Sequence, residues 1–450
     1  MGVGTTVTDT LPPGPRSRSP LGHSREFIRD TLGFLRTCAR EYGDVVTFRT
    51  GPQRTFLLNH PDDIEAVLVT HNHDFIKPFA MRRMRLFLGS GLLTSDGEAW
   101  RRQRRLAQPA FHRDRIAAYG EVMVARAQHA LAGWHDGEVR DVHEEMMQIT
   151  FEIVGKTLFD ADVGDQAAEV RDALAVTLAH YQKLLSSFWI LLPDAVPTPA
   201  NRRLRKALAR LDATVYRVIR ERRANQADRG DLLSMLMHAR DQDGSHLSVR
   251  QLRDEVMTLM FAGHDTTALT LTWCWYLLGQ HPEAERKLHA ELADVLGGRA
   301  PTVDDVPRLP YTAMLVNEVL RLYPPAWGIA REAVQDCEIA GYRIPKGSIV
   351  LMSQAVVQRD PRYFANPDSF LPERWANGLM SQLPKYAYFP FGGGQRLCIG
   401  NTFALMESVL LVATIAQRYR FTPGPNHTGE ATAALTLRPR YGMQMVLHQR

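Results

Sequence analysis

The sequence predicts a mainly α-helical fold with small β-sheets, built as one continuous unit, and three observations carry that prediction. Apolar residues recur at helical spacing over most of residues 61–300, with capping residues at several starts. The stretch DVVTFRTGPQRTFLLN, residues 44–59, alternates around a Gly-Pro turn and reads as a hairpin. The last third mixes Gly and Pro turns with short β-branched runs, as in GYRIPKGSIVLMSQAVVQRD, consistent with a small sheet.

Taken in order, residues 1–20 form a proline-rich leader expected to be flexible, followed by a single domain over 21–450. Residues 24–42 carry a helical pattern that ends at Gly43. QADRGD (226–231) and DQDGS (241–245) read as surface turns. Ser248 and Gln251 make a capping box at the head of a long helix that stops near Gly279, with Pro282 following. Its middle, AGHDTT at 262–267, places Gly and two β-branched threonines in a helix interior, where a local break is expected. Residues 361–395 have many prolines, glycines and aromatics and little periodicity, and such long irregular stretches in compact chains are usually functional. NTFALMESVLLVATIAQRYRF, from 401, returns to an amphipathic helix.

Composition narrows the class. With 450 residues, 45% hydrophobic and 23% charged, the chain suits a globular enzyme with a large core. A net charge of +5, with no long basic block interleaved with aromatics, argues against nucleic acid as a partner. Four cysteines, at 38, 274, 337 and 398, show neither zinc-ligand spacing nor a disulfide framework, so a reducing cytoplasm is expected. His71 and His73 in HNH read as surface loop rather than a metal site. MGVGTT fits a myristoylation pattern loose enough to arise by chance. The most apolar run, residues 184–196, is short and broken by Pro193, so no membrane anchor is visible.

The chemistry concentrates at FGGGQRLCIG, residues 391–400. Ordering three glycines is costly, and is tolerated where backbone approaches something closely. Cys398 lies at the mouth of the last helix, where unpaired amides and the helix dipole favour thiolate, the form that binds soft transition metals. Gly400 would let backbone lie against a flat, bulky object, and Arg396 supplies a permanent cation for a carboxylate. One thiolate, a flat neighbour and that cation suggest haem with a single axial sulfur.

This stretch resembles the cysteine-ligand loop of the cytochrome P-450 haem-thiolate monooxygenases. The resemblance implies the P-450 fold, a triangular-prism-like domain holding haem b. It implies Cys398 as the proximal metal ligand, which pushes electron density onto iron. It also implies a porphyrin contact for Phe391 and a propionate contact for Arg396. AGHDTT is similar to the family's oxygen-activating stretch. By that likeness Thr266 hydrogen-bonds the bound dioxygen, and Asp265 feeds it the protons that O–O cleavage needs. NEVLRLYPP and FLPERW resemble the buried Glu–Arg–Arg triad, here Glu318, Arg321 and Arg374. Trp100 and Arg104 match W-x-x-x-R, and Arg331 precedes Asp336 as in another propionate contact. These matches run in the family's order over roughly residues 40–446. One departure is Gln358, where many members have His, which is expected to alter local hydrogen bonding only.

No flavin or iron–sulfur pattern appears, so electrons are expected from a ferredoxin or flavodoxin with its reductase. Arg101, Arg102, Arg104 and Arg105 offer a basic face for docking it. By resemblance the substrate meets residues 75–93, 184–192, 257–261, 326–329 and 435–437, a largely apolar lining suited to a hydrophobic molecule. Arg82, Arg83 and Arg85 flank the first of these and are expected to face water. The Arg-rich, anchorless style resembles bacterial members that tailor secondary metabolites, several of which oxidise sesquiterpenes. The expectation is a monomeric monooxygenase acting with O2 on a terpenoid or similar product. The alternatives are a fatty-acid hydroxylase, or a haem-thiolate enzyme that rearranges substrate or uses peroxide. Asp265 and Thr266 argue against the last, because peroxide-using relatives replace that acid–alcohol pair. A non-catalytic haem sensor or carrier is disfavoured too, since a proton relay would serve no purpose there.

Overall fold

A computed structural model describes residues 10–159, 164–185, 196, 198–225, 231–241, 244–425 and 428–450. The longer helices in chain order are α1 (Thr31–Tyr42), α2 (Gly97–Ala107), α3 (Gly120–Leu131), α4 (Val142–Phe159), α5 (Gly164–Leu185) and α6 (Pro199–Asn225). They continue with α7 (Leu232–His238), α8 (Val249–Gln280), α9 (Pro282–Leu296), α10 (Pro310–Leu322) and α11 (Asn401–Ala416). The largest sheet holds β1 (Val45–Thr50), β2 (Gln53–Leu58), β3 (Phe75–Ile76), β4 (Ile329–Ala333) and β5 (Ile349–Met352), in the order β1-β2-β5-β4-β3. The described residues form four sheets where the sequence suggested one or two. The chain groups into two compact units, one of Met1–Met81, Glu318–Cys398 and Ala431–Arg438, the other of Arg82–Asn317, Ile399–Glu430 and Pro439–Arg450.

In the first unit the hairpin forms as expected, with Thr50 opposite Gln53 across the Gly-Pro turn. β2 then pairs in parallel with β5, Thr55 facing Ile349 and Leu58 facing Met352. Both faces of the sheet are covered. Phe56, Leu58, Val350 and Met352 pack on one side, Leu57 and Leu351 on the other. That two-sided burial explains why FLL and IVLM read as unbroken apolar runs rather than alternating ones.

The helix expected over 24–42 is interrupted at Asp30, whose φ of −149° ends one turn while its carboxylate caps the next by accepting from Gly33 N at 2.9 Å. The leader is not free over its whole length. Pro13 accepts from Thr47 N at 2.9 Å, and Gly14 lies so close to β1 that a Cβ there would be 1.8 Å from the Thr47 carbonyl oxygen. An open backbone edge on β1 captures this strip, which composition alone does not reveal.

The second unit is organised around α8. The capping box forms in full, with Gln251 N donating to Ser248 Oγ and Ser248 N to the Gln251 side chain. The 32-residue helix is about 48 Å long at ~1.5 Å per residue. Trp273 and Trp275 are almost wholly buried along it. The helix runs without interruption through AGHDTT, so the expected break is absent. The threonine hydroxyls bond back to carbonyls one turn earlier, Thr266 Oγ1 to Ala262 O at 2.9 Å and Thr267 Oγ1 to Gly263 O at 3.3 Å. That local satisfaction keeps these poor helix formers in the helix. No helix among the described residues is long and apolar enough to cross a membrane.

α11 carries one acid, Glu407, and it is fully buried. Burial pushes its carboxyl up to about 8, and the Thr267 hydroxyl offsets only part of that. In the unfolded chain the group ionises near 4.5, so between those values the unfolded state gives up a proton that the native state keeps. Stability therefore falls as pH rises through this window and levels off above it. Glu407→Gln removes that slope. Urea unfolding at pH 5 and pH 8 should show the variant gaining on the wild type at pH 8, by an amount on the order of a few kcal/mol.

Candidate functional site

Within the first unit the structure surrounds the cysteine loop with hydrogen bonds. Cys398 N donates to Phe391 O at 3.0 Å and Gly392 N to Phe389 O at 2.9 Å, closing a tight loop. Gly394 has φ of +61° and sits on Leu68, where a Cβ would stand 2.0 Å from the carbonyl oxygen. At Gly393 a Cβ would be 2.2 Å from the Tyr386 ring, whose hydroxyl receives the Gly394 amide at 3.2 Å. These two glycines are required by the protein's own packing. Cys398 is exposed, unlike the other cysteines. Burial pushes the Cys38 thiol up to about 12, that of Cys337 up to about 11 and that of Cys274 higher still. Those three are held as thiols, which leaves Cys398 as the cysteine suited to ligation.

Beneath the loop, Glu318 and Arg321 are fully buried. Arg321 grips the carboxylate through Nε at 2.9 Å and Nη2 at 2.8 Å, and Arg374 Nε adds a third bond at 2.9 Å. Trp375 Nε1 and Leu371 N donate to it as well, each at 3.0 Å. The other guanidinium bonds go to the carbonyl of Gln358 and to carbonyls of the irregular segment that follows it. Arg321 reaches those of Gln358, Pro367 and Ser369, and Arg374 those of Ala365 and Asn366. Gln358 has a larger part than its sequence reading implied. Its amide donates to Leu320 O at 3.0 Å and Arg321 O at 3.2 Å, while its oxygen accepts from Phe389 N at 3.0 Å. A neutral imidazole offers one donor and one acceptor, so Gln358 makes a bond that His could not.

Also in this unit, Arg331 lies on β4 opposite Val350, and Arg396 ends the short turn Gly394–Arg396. Two of the expected substrate segments, 326–329 and 435–437, are tied through residues next to them. The Trp327 indole donates to Ala434 O at 2.8 Å and Leu437 N to Pro325 O at 2.9 Å. His71 and His73 flank the buried Asp74 at 3.4 and 3.3 Å, and no group of metal-ligating side chains is found among the described residues.

In the second unit, Asp265 is buried at 1% exposure and Thr266 is half-buried, yet Ala262, one turn earlier on the same face, is exposed. On a helix buried nearly throughout, that face looks onto accessible space. The Phe87 ring packs edge-on against Phe261 at 5.5 Å, joining two more of the expected substrate segments. Residues 184–192 lie outside those whose side chains are described, as do most of the turn at 226–231 and residues 242–243. Trp100 is buried and shares a face of α2 with half-buried Arg104.

The basic face of α2 is less available than its sequence suggested. Arg102 and Arg105 both bind Asp241, at 2.9 and 3.1 Å, and Arg101 pairs with Glu98. The acidic partner lies 136 or more residues away in sequence, where no local pattern points to it. Gly400 caps α11 with φ of −94°, and a Cβ there would meet only Phe111, at 3.7 Å. The chain itself thus imposes no need for glycine at 400.

The family model described as Cytochrome P450 matches residues 12–445. Cyclooctatin synthase of Streptomyces melanosporofaciens is 42% identical, covering 90% of this chain and 88% of that protein. Pentalenene oxygenase of Streptomyces avermitilis is 36% identical, covering 93% of this chain and 92% of its own. The solved structure described as retinoic acid bound cyanobacterial CYP120A1 superposes with a TM-score of 0.87 at 26% identity, over 98% of this chain and all of that one. The chain belongs to the cytochrome P450 family, and is an oxygen-inserting oxidoreductase with a haem-thiolate iron protoporphyrin cofactor.

Proposed function

We propose that this monooxygenase hydroxylates a terpenoid or similar hydrophobic secondary metabolite, with Cys398 as the proximal ligand of haem b. The accessible Cys398 thiol on a closed glycine loop is the observation that carries the ligand assignment. Gly400 supports it, being a glycine that the protein's own packing does not demand. Phe391 and Trp100 supply flat apolar surface for the porphyrin. Arg104, Arg331 and Arg396 supply cations for its propionates. The bound haem contributes the redox-active iron at which dioxygen is activated.

The chain's own residues handle protons and exclude water. Thr266 Oγ1 is committed to Ala262 O in a bond of 2.9 Å, and rotation of that hydroxyl would present it to the accessible side of α8. Asp265, its neighbour in sequence and buried at 1% exposure, is assigned the role of passing a proton to Thr266 Oγ1. Phe87 and Phe261 suit a substrate recognised by burial more than by charge. The terpenoid assignment draws on the names of relatives, cyclooctat-9-en-7-ol 5-monooxygenase and pentalenene oxygenase among them. Electrons are assigned to a ferredoxin or flavodoxin in the cytoplasm, serving a monomeric enzyme over one continuous domain. Arg101 and Arg105 keep about half their side-chain surface exposed, at 51% and 47%, and so still offer charge to an acidic partner.

Reducing the purified protein and adding carbon monoxide should give a strongly red-shifted Soret band, and Cys398→Ser should abolish it. A histidine-type spectrum in the wild type would refute the ligand assignment. Thr266→Ala should leave the reduction rate unchanged while the ratio of product formed to electrons consumed falls by roughly a hundredfold, the low end of what one proton-transfer group contributes. An unchanged ratio would remove Thr266 from the relay.

A further inference from the structure

Three consecutive charged residues, Arg253, Asp254 and Glu255, are buried near the start of α8 at 7, 4 and 1% exposure. The proposed chemistry uses none of them. Buried carboxylates are costly unless their partners compensate, so those partners indicate what the carboxylates are for. Ser90 N donates to Asp254 Oδ2 at 2.8 Å, and Leu92 N donates to Glu255 Oε2 at 3.1 Å. Arg253 binds Asp254 at 3.0 Å, Asp212 of α6 at 2.7 Å and the Phe87 carbonyl at 3.1 Å. All three side chains thus grip one stretch of backbone, residues 87–92.

That stretch is shaped to its seat. Gly89 has φ of +71°, and a Cβ there would lie 1.9 Å from Asp254 Oδ1. At Gly91 a Cβ would lie 2.2 Å from Thr258 Oγ1 and 2.6 Å from the Asp254 carbonyl oxygen. Behind the seat the turn is closed by Thr94 Oγ1 donating to Gly89 O at 2.6 Å and Ser95 Oγ to Ser90 O at 2.8 Å. The glycines let backbone lie directly on α8, where any side chain would hold it off.

The position matters for function. Glu255 and Thr258 stand seven and four residues before Ala262, so they share the face of α8 that carries Ala262 and Thr266. At ~1.5 Å per residue the seat runs from about 6 Å, at Thr258, to about 12 Å, at Asp254, along the helix from Ala262. The same stretch carries Phe87, whose ring meets Phe261 at 5.5 Å.

We infer that Asp254 and Glu255 are positioning residues that fix Gly89–Leu92 as the end wall of the space over Ala262 and Thr266, and so limit the length of molecule this face accepts. The inference rests on the haem monooxygenase reading. Charge-assisted bonds to backbone amides are stronger and more directional than neutral ones, so they place the wall independently of the side chains it carries. Length selection then resides in helix residues that never touch the substrate.

The test uses the haem-loaded full chain and two probes, imidazole and the longer 4-phenylimidazole, each titrated by its Soret shift. Glu255→Met removes the acceptor at nearly constant length. Imidazole affinity should stay within about twofold, while 4-phenylimidazole affinity changes about tenfold, the weight of one charge-assisted hydrogen bond. Amide exchange at Ser90 and Leu92 should accelerate in parallel. Equal changes for both probes, or none, would overturn the inference. If Glu255→Met does not fold, Gly91→Ala displaces the same stretch, and an unchanged ratio there is equally fatal. Failure of imidazole to shift the wild-type band would count instead against the haem reading. Exchange at Ser90 and Leu92 then decides the seat by itself, and unaltered exchange in Gly91→Ala would overturn it.

Discussion

The carboxylate of Glu318 is the constraint on which the first unit depends. Five donors converge on it, from Arg321, Arg374, Trp375 and Leu371, in a place that water does not reach. Ions so buried are tolerated only when fully partnered, and loss of one partner costs about 3–5 kcal/mol. The donors come from a helix and from an irregular segment with no ladder of its own. Arg321 and Arg374 also satisfy the carbonyls of Gln358, Ala365, Asn366, Pro367 and Ser369. A stretch that neither helix nor sheet organises is thereby given one conformation.

From there the constraint passes to the cysteine. Gln358 reads two carbonyls of α10 and holds the amide of Phe389. The Trp375 indole, itself bound to Glu318, packs on Tyr388 with ring centres 4.5 Å apart. Phe389 then receives the Gly392 amide, and Tyr386 supports Gly393 and Gly394. Each step is short and directional, so the chain's own bonds hold the loop that carries Cys398. The second unit works by another means. There α8 is one continuous helix, and the face that carries Ala262 and Thr266 is marked by small residues, back-bonded hydroxyls and a seat for residues 87–92.

Much of this was legible where chemistry is local in sequence. FGGGQRLCIG, the Ser248–Gln251 box, the Gly-Pro hairpin and the Glu318–Arg321 spacing each encode their geometry within a few residues. What escaped depends on partners far along the chain. The parallel pairing of β2 with β5 leaves no trace at either strand beyond apolar runs. Asp241 quenches Arg102 and Arg105 from across more than a hundred residues. Asp254 and Glu255 carry no local signal of burial, because a charge near a helix start ordinarily faces water. Only their burial beside Gly89 and Gly91 reveals otherwise. The break expected in AGHDTT failed for a different reason: propensity argued against helix, and the threonine hydroxyls supplied bonds that propensity does not count.

The central claim is that Glu318 sets the cysteine loop, and Glu318→Gln tests it most directly. The substitution keeps the shape and removes the charge that Arg321 and Arg374 share. The carbon monoxide complex of the reduced variant is the quantity to measure, with helix content recorded alongside. The account predicts that the red-shifted band is lost or largely replaced by a less shifted one while most helix is retained. A variant with the full wild-type band and an unchanged thermal midpoint would contradict it.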